Sequence, residues 1–330
     1  FNPKEFPIPV ELKQYIVDAY FDDQTNYPAA DGMLELRNAV SNLLKERGEL
    51  DYKNDEILIA GGARPVIYSI FKALVDEGDT VIFAVPSWNN NHYSYLNFAK
   101  SVVIEAKPEE NFMPSAKDIA PFIQDATLVA LCSPQNPTGT VFTKEGLNEI
   151  CDLILAENKR RGPDKKPVYL MYDQIYWALT FGNTKHYNPV TLNPEMKAYT
   201  VFVDGISKSL SATGVRVGWS MGPKFIIDKM KAILTHVGAW APKAEQIASA
   251  KYLSNLDMYD AFITKQKESI IARLDGFYKG FQTLKNEGFK VDAITPQAAI
   301  YLTIKFDLHG MKTADGKVLE TTKDITKFIL

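Results

Sequence analysis

The chain has 330 residues, of which 46% are hydrophobic and 23% charged, and its formal net charge is -3. These values are typical of a compact protein of about two domains, exclude a disordered, collagen-like or coiled-coil chain, and argue against nucleic acid as the main partner. The two cysteines, the four scattered histidines and the lack of an apolar run of about 18 residues predict a cytoplasmic protein without a disulfide framework, a metal site or a membrane span.

Strand-like apolar segments alternate with segments of helical period from residue 56 to residue 203. The predicted strands are 56–60, 81–84, 102–104, 128–131, 168–172 and 199–203, and the predicted helices are 65–75, 92–99 and 144–157. Some of these strands are apolar on both faces, which is typical of strands covered by helices on each side. The sequence therefore predicts a three-layer α/β/α fold with a mostly parallel sheet. The basic segment 158–166 is predicted to be a solvated loop.

Helical segments dominate the remainder of the chain. The predicted helices are 224–234, 243–253 and 258–286, and two short strands, 289–291 and 299–304, follow them. This change of texture predicts a second, smaller α+β unit. We expect a large domain over residues 28–250 and a small domain built from residues 1–27 and 251–330.

The loops that follow the strands are the places to look for a site, because ligands in open α/β sheets bind beyond the carboxyl ends of the strands. Gly62, Ala63 and Arg64 follow the first strand and open a helix, where free backbone N–H groups can bind a phosphate. Trp88 follows the next strand and offers a planar surface on which an aromatic cofactor could stack. A simple turn and a partly buried hydrophobic cap are the alternatives for these two features.

Polar side chains also follow the fourth and fifth strands. Asn136, in the segment Ser133-Pro-Gln-Asn-Pro-Thr-Gly139, presents an amide that can donate and accept. Asp173 ends an apolar strand, where a carboxylate is unfavourable unless a cation or several donors meet it, and Tyr176 lies three residues later. A plain turn around Asn136 and a turn cap by Asp173 remain the structural alternatives.

The last of these loops contains Ser207 and Lys208, and Arg216 follows eight residues later. A desolvated lysine can form a Schiff base, and an arginine can bind a phosphate through two hydrogen bonds. Taken with the preceding residues, this set meets the binding requirements of pyridoxal phosphate. The helix N-terminus and Arg216 would take the phosphate and Trp88 would stack on the ring. Asp173 would hold the ring nitrogen protonated, and Asn136 and Tyr176 would hold the ring hydroxyl.

At these positions the chain resembles the class I/II aminotransferases of the aspartate aminotransferase superfamily, which are fold type I pyridoxal-phosphate enzymes. The resemblance rests on Asn136-Pro-Thr-Gly139, Asp173-x-x-Tyr176, and Ser207-Lys208 with Arg216-Val-Gly218. It implies that Lys208 bonds the cofactor and carries the proton, and that Tyr27 reaches the phosphate of a neighbouring subunit in a homodimer with shared active sites. The implied reaction is ping-pong amino transfer from an aspartate-like or aromatic L-amino acid to a 2-oxo acid such as 2-oxoglutarate.

The chain departs from the family pattern in two respects. Many members have a phosphate-binding serine three residues before the lysine, where this chain has Gly205. Members usually also have a further N-terminal segment and a C-terminal arginine for the substrate carboxylate, and that arginine has no counterpart before Leu330. We therefore expect a small domain that is incomplete at both ends, and good cofactor binding with poor handling of substrate. A β-lyase or cyclopropane-forming synthase of the same fold, or a non-catalytic cofactor-binding sensor domain, are the alternatives.

Overall fold

The structure is a computed structural model that describes residues 2–330, and it contains two β-sheets. The strands are β1 (Ile57–Ala60), β2 (Thr80–Val85), β3 (Lys100–Glu105), β4 (Ala126–Cys132), β5 (Tyr169–Asp173), β6 (Thr200–Gly205), β7 (Gly218–Met221), β8 (Val291–Ala293) and β9 (Ile304–Phe306). The α-helices are α1 (Val10–Phe21), α2 (Leu34–Gly48), α3 (Ala63–Leu74), α4 (Asn90–Leu96), α5 (Ala116–Ile119), α6 (Lys144–Arg161), α7 (Pro189–Leu192), α8 (Ile206–Ser209), α9 (Lys224–Val237), α10 (Lys243–Leu253), α11 (Leu256–Asn286) and α12 (Thr322–Ile329).

The larger sheet has seven strands in the order β1-β7-β6-β5-β4-β2-β3. Every pair from β3 to β6 is parallel, whereas β7 is antiparallel to both of its neighbours, β1 and β6. The predicted mostly parallel sheet is therefore confirmed. The parallel strands end at one edge of the sheet, and the loops that leave β4, β5 and β6 emerge there side by side.

Both faces of this sheet are covered by helices, which confirms the predicted three layers. On one face, apolar side chains of β5 and β6 such as Met171 and Val203 pack with residues of α3 and α9. On the other face, Tyr172 and Phe202 pack with residues of α2, α6 and α10. Because side chains alternate along a strand, the two apolar sets come from consecutive positions of the same strands. This explains why β4 and β5 are buried along their whole length.

Two predicted segments, 158–166 and 299–304, differ from the structure, and one strand was not predicted. Helix α6 continues to Arg161, so the segment 158–166 is a loop only in its second part. Arg161 itself is inside the fold, where its guanidinium donates to the carbonyl oxygens of Ile123, Gln124 and Ala126 at the start of β4. The strand predicted at 299–304 begins only at Ile304, because the preceding residues bond to two loops of the larger sheet. Strand β7 was not predicted, since its four residues include Gly218 and Ser220.

The 31-residue helix α11 leads from the seven-stranded sheet to a separate two-stranded antiparallel sheet, in which β8 pairs with β9. This arrangement agrees with the expected smaller α+β unit, while the domain boundaries at residues 27/28 and 250/251 stay a prediction. Within residues 2–330, no helix is both long and apolar enough to cross a bilayer.

Candidate active site

Three loops meet at the carboxyl edge of the parallel strands. In the strand register, Cys132 at the end of β4 lies beside Asp173 at the end of β5, and Asp173 lies beside Val203 of β6. The chain therefore brings the loop of Asn136, the loop of Asp173 and the helix of Lys208 to the same level of the sheet. This edge is where the sequence predicted a site.

Asp173 is buried at this edge. One of its carboxyl oxygens accepts a hydrogen bond from the backbone N–H of Ile175 at 3.0 Å, so the turn cap that was one alternative is present. The other oxygen has no hydrogen-bond donor within residues 2–330. Burial raises the pKa of Asp173 to about 6, and the positive charge of Lys208 opposes that rise. A single backbone donor does not compensate a buried carboxylate, so this group can accept a cation.

Lys208 lies on the short helix α8 directly after β6 and is half-buried. Its ammonium is 5.6 Å from the centre of the Tyr176 ring, and it donates no hydrogen bond to any group that the structure describes. Burial lowers the pKa of Lys208, the charge of Arg64 lowers it further, and Asp173 opposes the shift. A lysine with a lowered pKa has a larger neutral fraction at neutral pH and is a better nucleophile and base.

Tyr176 follows Asp173 by three residues and is almost fully buried. Burial raises the pKa of its phenol, and the neighbouring Tyr301 adds to that rise. The two hydroxyls are hydrogen-bonded at 2.5 Å, and their rings meet edge to face with centres 5.6 Å apart. Tyr176 therefore keeps its proton at neutral pH and can donate it to an acceptor.

A candidate anion site lies at the start of helix α3, beside Arg216. Helix α3 begins without a side-chain cap, and the backbone N–H groups of Ala63 and Arg64 at its start have no acceptor within the described chain. The guanidinium of Arg216 closes this site by donating to the carbonyl oxygens of Gly61 and Thr213, each at 2.7 Å. A Cβ on residue 62 would lie 2.3 Å from Arg216 Nη2, so only Gly62 allows the arginine to approach. Free N–H groups at a helix N-terminus together with an arginine form a phosphate site.

Gly205, where many family members have serine, also has a steric explanation. A Cβ on residue 205 would lie 2.8 Å from the Cα of Gly218 on the neighbouring strand β7. The two backbones approach too closely for a side chain, so a serine would require β7 to move. This chain therefore has no serine hydroxyl at that position, and Arg216 is the cation beside the start of α3.

Three further predicted residues lie around these groups. The side-chain amide of Asn136 is partly exposed and has no hydrogen-bond partner within residues 2–330. Trp88 is half-buried and the guanidinium of Arg64 stacks over its ring, 5.4 Å from the ring centre. Ser207 is buried beside Lys208. The geometry leaves the amide of Asn136 free to bind a ligand.

Tyr27 is not part of this cluster. Its side chain is 81% exposed, and its ring packs edge to face on Trp240 with centres 5.2 Å apart. An exposed tyrosine ring seated on a partly buried tryptophan is compatible with Tyr27 serving the site of another subunit, as the resemblance implies.

Sequence reasoning missed three residues that shape the site. Besides Tyr301, these are Gln266 of α11, which donates to the backbone oxygen of Lys208 at 3.0 Å, and Asp204 of β6, which accepts from the indole of Trp177 at 2.9 Å. Tyr301 and Gln266 lie far along the chain from the residues that they contact, so no local pattern could identify them. Asp204 carried a signal, because it is a carboxylate at the end of an apolar strand like Asp173.

The site as a whole matches the chemistry of pyridoxal phosphate. The amine of Lys208, whose pKa is lowered, can react with an aldehyde. The buried carboxyl of Asp173 can bind a protonated ring nitrogen, and the start of α3 with Arg216 can bind a phosphate. No group of three or more His, Cys, Asp or Glu side chains in the described part of the chain could hold a metal ion.

Comparison with known proteins gives the same result. Residues 4–325 match the family described as aminotransferase class I and II. The aspartate aminotransferase of Bacillus sp. (strain YM-2) is 30% identical over 96% of this chain and 77% of its own length, and a probable aspartate/prephenate aminotransferase of Rickettsia felis is 30% identical over 99% and 77%. The crystal structure of the aspartate aminotransferase from Rhizobium meliloti superposes with a TM-score of 0.90 at 26% identity, covering 98% of this chain and 78% of that one. The predicted family, cofactor and reaction class are confirmed: the chain belongs to the class I and II aminotransferase family and is a pyridoxal-phosphate-dependent aminotransferase.

Proposed function

We propose that this protein transfers the amino group of an acidic L-amino acid to a 2-oxo acid at the edge formed by β4, β5 and β6. The observation that carries the proposal is the electrostatic interaction of Lys208 with Asp173, two buried or half-buried groups of opposite charge that form no salt bridge within residues 2–330. A structural ion pair would have its hydrogen bonds satisfied, whereas both of these groups have unused capacity.

Each residue of the site has a role that follows from its surroundings. Bound pyridoxal phosphate supplies an electron sink for the negative charge that develops at the substrate Cα. The amine of Lys208 takes the proton from that carbon and returns it to the product, as a general base and then a general acid. When the cofactor is bound, Asp173 would keep the ring nitrogen protonated, Asn136 and Tyr176 would bind the ring hydroxyl, and Trp88 would cover one face of the ring.

The phosphate is assigned to the start of α3 and its neighbours. The backbone groups of Gly62, Ala63 and Arg64 line this end of the helix, and the guanidinium of Arg216 beside it supplies the charge. Ser207, next to Lys208, is assigned to the phosphate from the resemblance alone. The close approach of Arg216 to Gly62 supports this assignment, and the positive φ of Gly62 (+99°) is a second reason for a glycine at that position.

Arg64 supports an acidic amino donor. Its guanidinium faces the site closely enough to lower the pKa of Lys208, yet it forms no ion pair within the described residues. A free arginine at the mouth of a site can bind the distal carboxylate of an acidic substrate. The names of the relatives agree with this substrate class: two are called aspartate or aspartate/prephenate aminotransferases, and the similar Thermus thermophilus aspartate aminotransferase was solved with maleate, a dicarboxylate.

We also propose that the protein works as a homodimer in which Tyr27 serves the partner's site. The exposed ring of Tyr27 supports this, because large exposed aromatic side chains are typical of interfaces. Sedimentation should give about twice the 37.0 kDa mass of the chain, and a monomer at micromolar concentration would refute the proposal. The cytoplasmic location stays a prediction from the sequence.

A substrate panel tests the proposed reaction. We expect aspartate with 2-oxoglutarate to be converted best, and Arg64→Leu to raise the KM for aspartate about 10-fold to 100-fold, because a charge-assisted hydrogen bond is lost, with little change for phenylalanine. Arg160→Leu, an exposed arginine on α6, is the matched control. If Arg64→Leu changes the KM for aspartate and for phenylalanine equally, Arg64 does not recognise the distal carboxylate of the substrate. Release of pyruvate and ammonia without a 2-oxo acid acceptor would favour a β-lyase.

A further inference from the structure

Residues 297–303 form a strap that crosses the active-site edge on its way to β9. The strap is bonded to both loops that it crosses: the backbone N–H of Ala298 donates to the oxygen of Gly139 at 2.9 Å, and that of Ala299 donates to the oxygen of Leu179 at 2.8 Å. The hydroxyl of Thr303 adds a bond to the oxygen of Thr138 at 3.0 Å. The loop of Asn136 and the loop of Tyr176 are therefore held to the same segment of chain.

Tyr301 lies in the middle of this strap and points its hydroxyl at Tyr176. Its ring packs with an apolar cluster that includes Leu179, Ile270 and Leu274, so the position of the ring is fixed by packing as well as by the bonds of the strap. The two phenol oxygens are within hydrogen-bond distance, and either can be the donor. No other hydroxyl, amide or charged side chain of residues 2–330 forms a hydrogen bond with the phenol of Tyr176.

The number of protons in this pair decides what Tyr176 can do. Each phenol has one proton, and each oxygen can also accept. If Tyr301 donates to Tyr176, the single proton of Tyr176 is free to point at an acceptor in the site. If the direction is reversed, the proton of Tyr176 is used on Tyr301 and none remains for a ligand. A hydrogen-bond acceptor of a ligand beside Tyr176 favours the first arrangement. Only in that arrangement does Tyr301 donate to Tyr176 while Tyr176 donates to the ligand.

We infer that Tyr301 is a positioning residue for this aminotransferase: its hydroxyl donates to Tyr176 and thereby directs the Tyr176 proton to the ring hydroxyl oxygen of the cofactor. The inference rests on the proposed assignment of Tyr176 to that oxygen. Hydrogen bonds in a chain polarise one another, so the donor strength of Tyr176 depends on Tyr301. A stronger donor stabilises negative charge on the ring oxygen. An oxygen whose charge is stabilised in this way binds the neighbouring proton of the lysine-bound chromophore less strongly, so the pKa of the chromophore is lower.

The test is a pH titration of the visible absorbance of the cofactor-loaded protein. Removing the Tyr301 hydroxyl with Tyr301→Phe should raise the pKa of the chromophore by about half a unit to one unit, as expected for one hydrogen bond. Tyr176→Phe should raise it by more, and Tyr301→Phe added to Tyr176→Phe should have no further effect. Tyr278→Phe is the matched control, since Tyr278 also bonds through its hydroxyl to a residue near the strap, Thr295, but lies outside the site.

Three outcomes would overturn the inference. A chromophore pKa in Tyr301→Phe equal to that of Tyr278→Phe would show that the Tyr301 hydroxyl does nothing. An equal shift with and without Tyr176 would show that it does not act through Tyr176. A wild-type protein with no titrating chromophore would refute the assignment of the site itself, and the inference with it, so failure of the two proposals can be distinguished.

Discussion

Asp173 and Asp204 are both buried carboxyls near the ends of neighbouring parallel strands, yet their surroundings differ. Asp173 is level with Val203 in the register, so Asp204, one residue further along β6, faces the opposite side of the sheet. Asp173 faces Lys208 with one backbone donor, whereas Asp204 accepts from the backbone N–H of Gly205 at 2.7 Å and from the indole of Trp177 at 2.9 Å. Burial raises the pKa of the first to about 6 and that of the second to about 8.

The difference shows how to tell a binding carboxyl from a structural one. Asp204 links the loop of Trp177 to β6, the strand that precedes the helix of Lys208, and each of its oxygens has a donor. Asp173 has an oxygen without a donor and a lysine within electrostatic range. Burial is common to both carboxyls and does not distinguish them. An oxygen without a hydrogen-bond donor is the feature that indicates a carboxylate able to bind a ligand.

The largest expected effect comes from removing the cation that distinguishes the two carboxyls. Lys208→Ala should abolish the visible absorbance of bound cofactor and lower the rate of transamination at least about 10³-fold, because the nucleophile and the general base are lost together. Absorbance and coupled activity assays measure both. Lys267→Ala is the matched control, since burial also lowers the pKa of Lys267 on α11. Normal transamination by Lys208→Ala would refute the site.

Asp173→Asn tests the binding carboxyl directly. We expect the rate to fall about 10²-fold to 10³-fold and the affinity for pyridoxal phosphate to weaken, because a neutral amide cannot hold the ring nitrogen protonated. In the wild-type protein the affinity should rise as the pH passes through about 6, where Asp173 ionises. Full activity of Asp173→Asn would show that Asp173 has only a structural role, like Asp204. An affinity of the wild-type protein for pyridoxal phosphate that does not change around pH 6 would show the same.

Asp204→Asn should have the smallest effect on the rate of the reaction, but it should change how the stability of the folded protein depends on pH. Because the pKa of Asp204 is raised to about 8, the folded protein holds a proton that the unfolded chain has lost, and its contribution to stability falls as the pH rises from about 4 to about 8. The variant should lose this pH dependence while keeping activity within a few-fold. Urea unfolding midpoints of the cofactor-free proteins at pH 5 and pH 8.5 measure the difference. If the unfolding midpoint changes equally between pH 5 and pH 8.5 in the wild-type protein and the variant, Asp204 does not titrate in this range.

Much of the large sheet could be predicted from the sequence, since its strands are short apolar segments bounded by polar loops. The site residues Asn136, Asp173 and Lys208 could be predicted for a related reason: polar side chains directly after buried strands have no packing role and must lie at one edge of a parallel sheet. The boundaries at residues 161 and 304 could not, because both depend on bonds to distant carbonyl groups.

What the sequence by itself determined is the layered fold and the family to which the chain belongs, and it also predicts the lysine and the carboxylate of the candidate site. These follow from local periodicity and from residue types at fixed spacing. Only the tertiary structure decided that Tyr301 binds Tyr176, that Gln266 holds the lysine helix and that Gly205 must lack a side chain. The physical reason is that these features depend on contacts between residues far apart in the chain, and a side chain's unused hydrogen bonds become visible only when all its neighbours are in place.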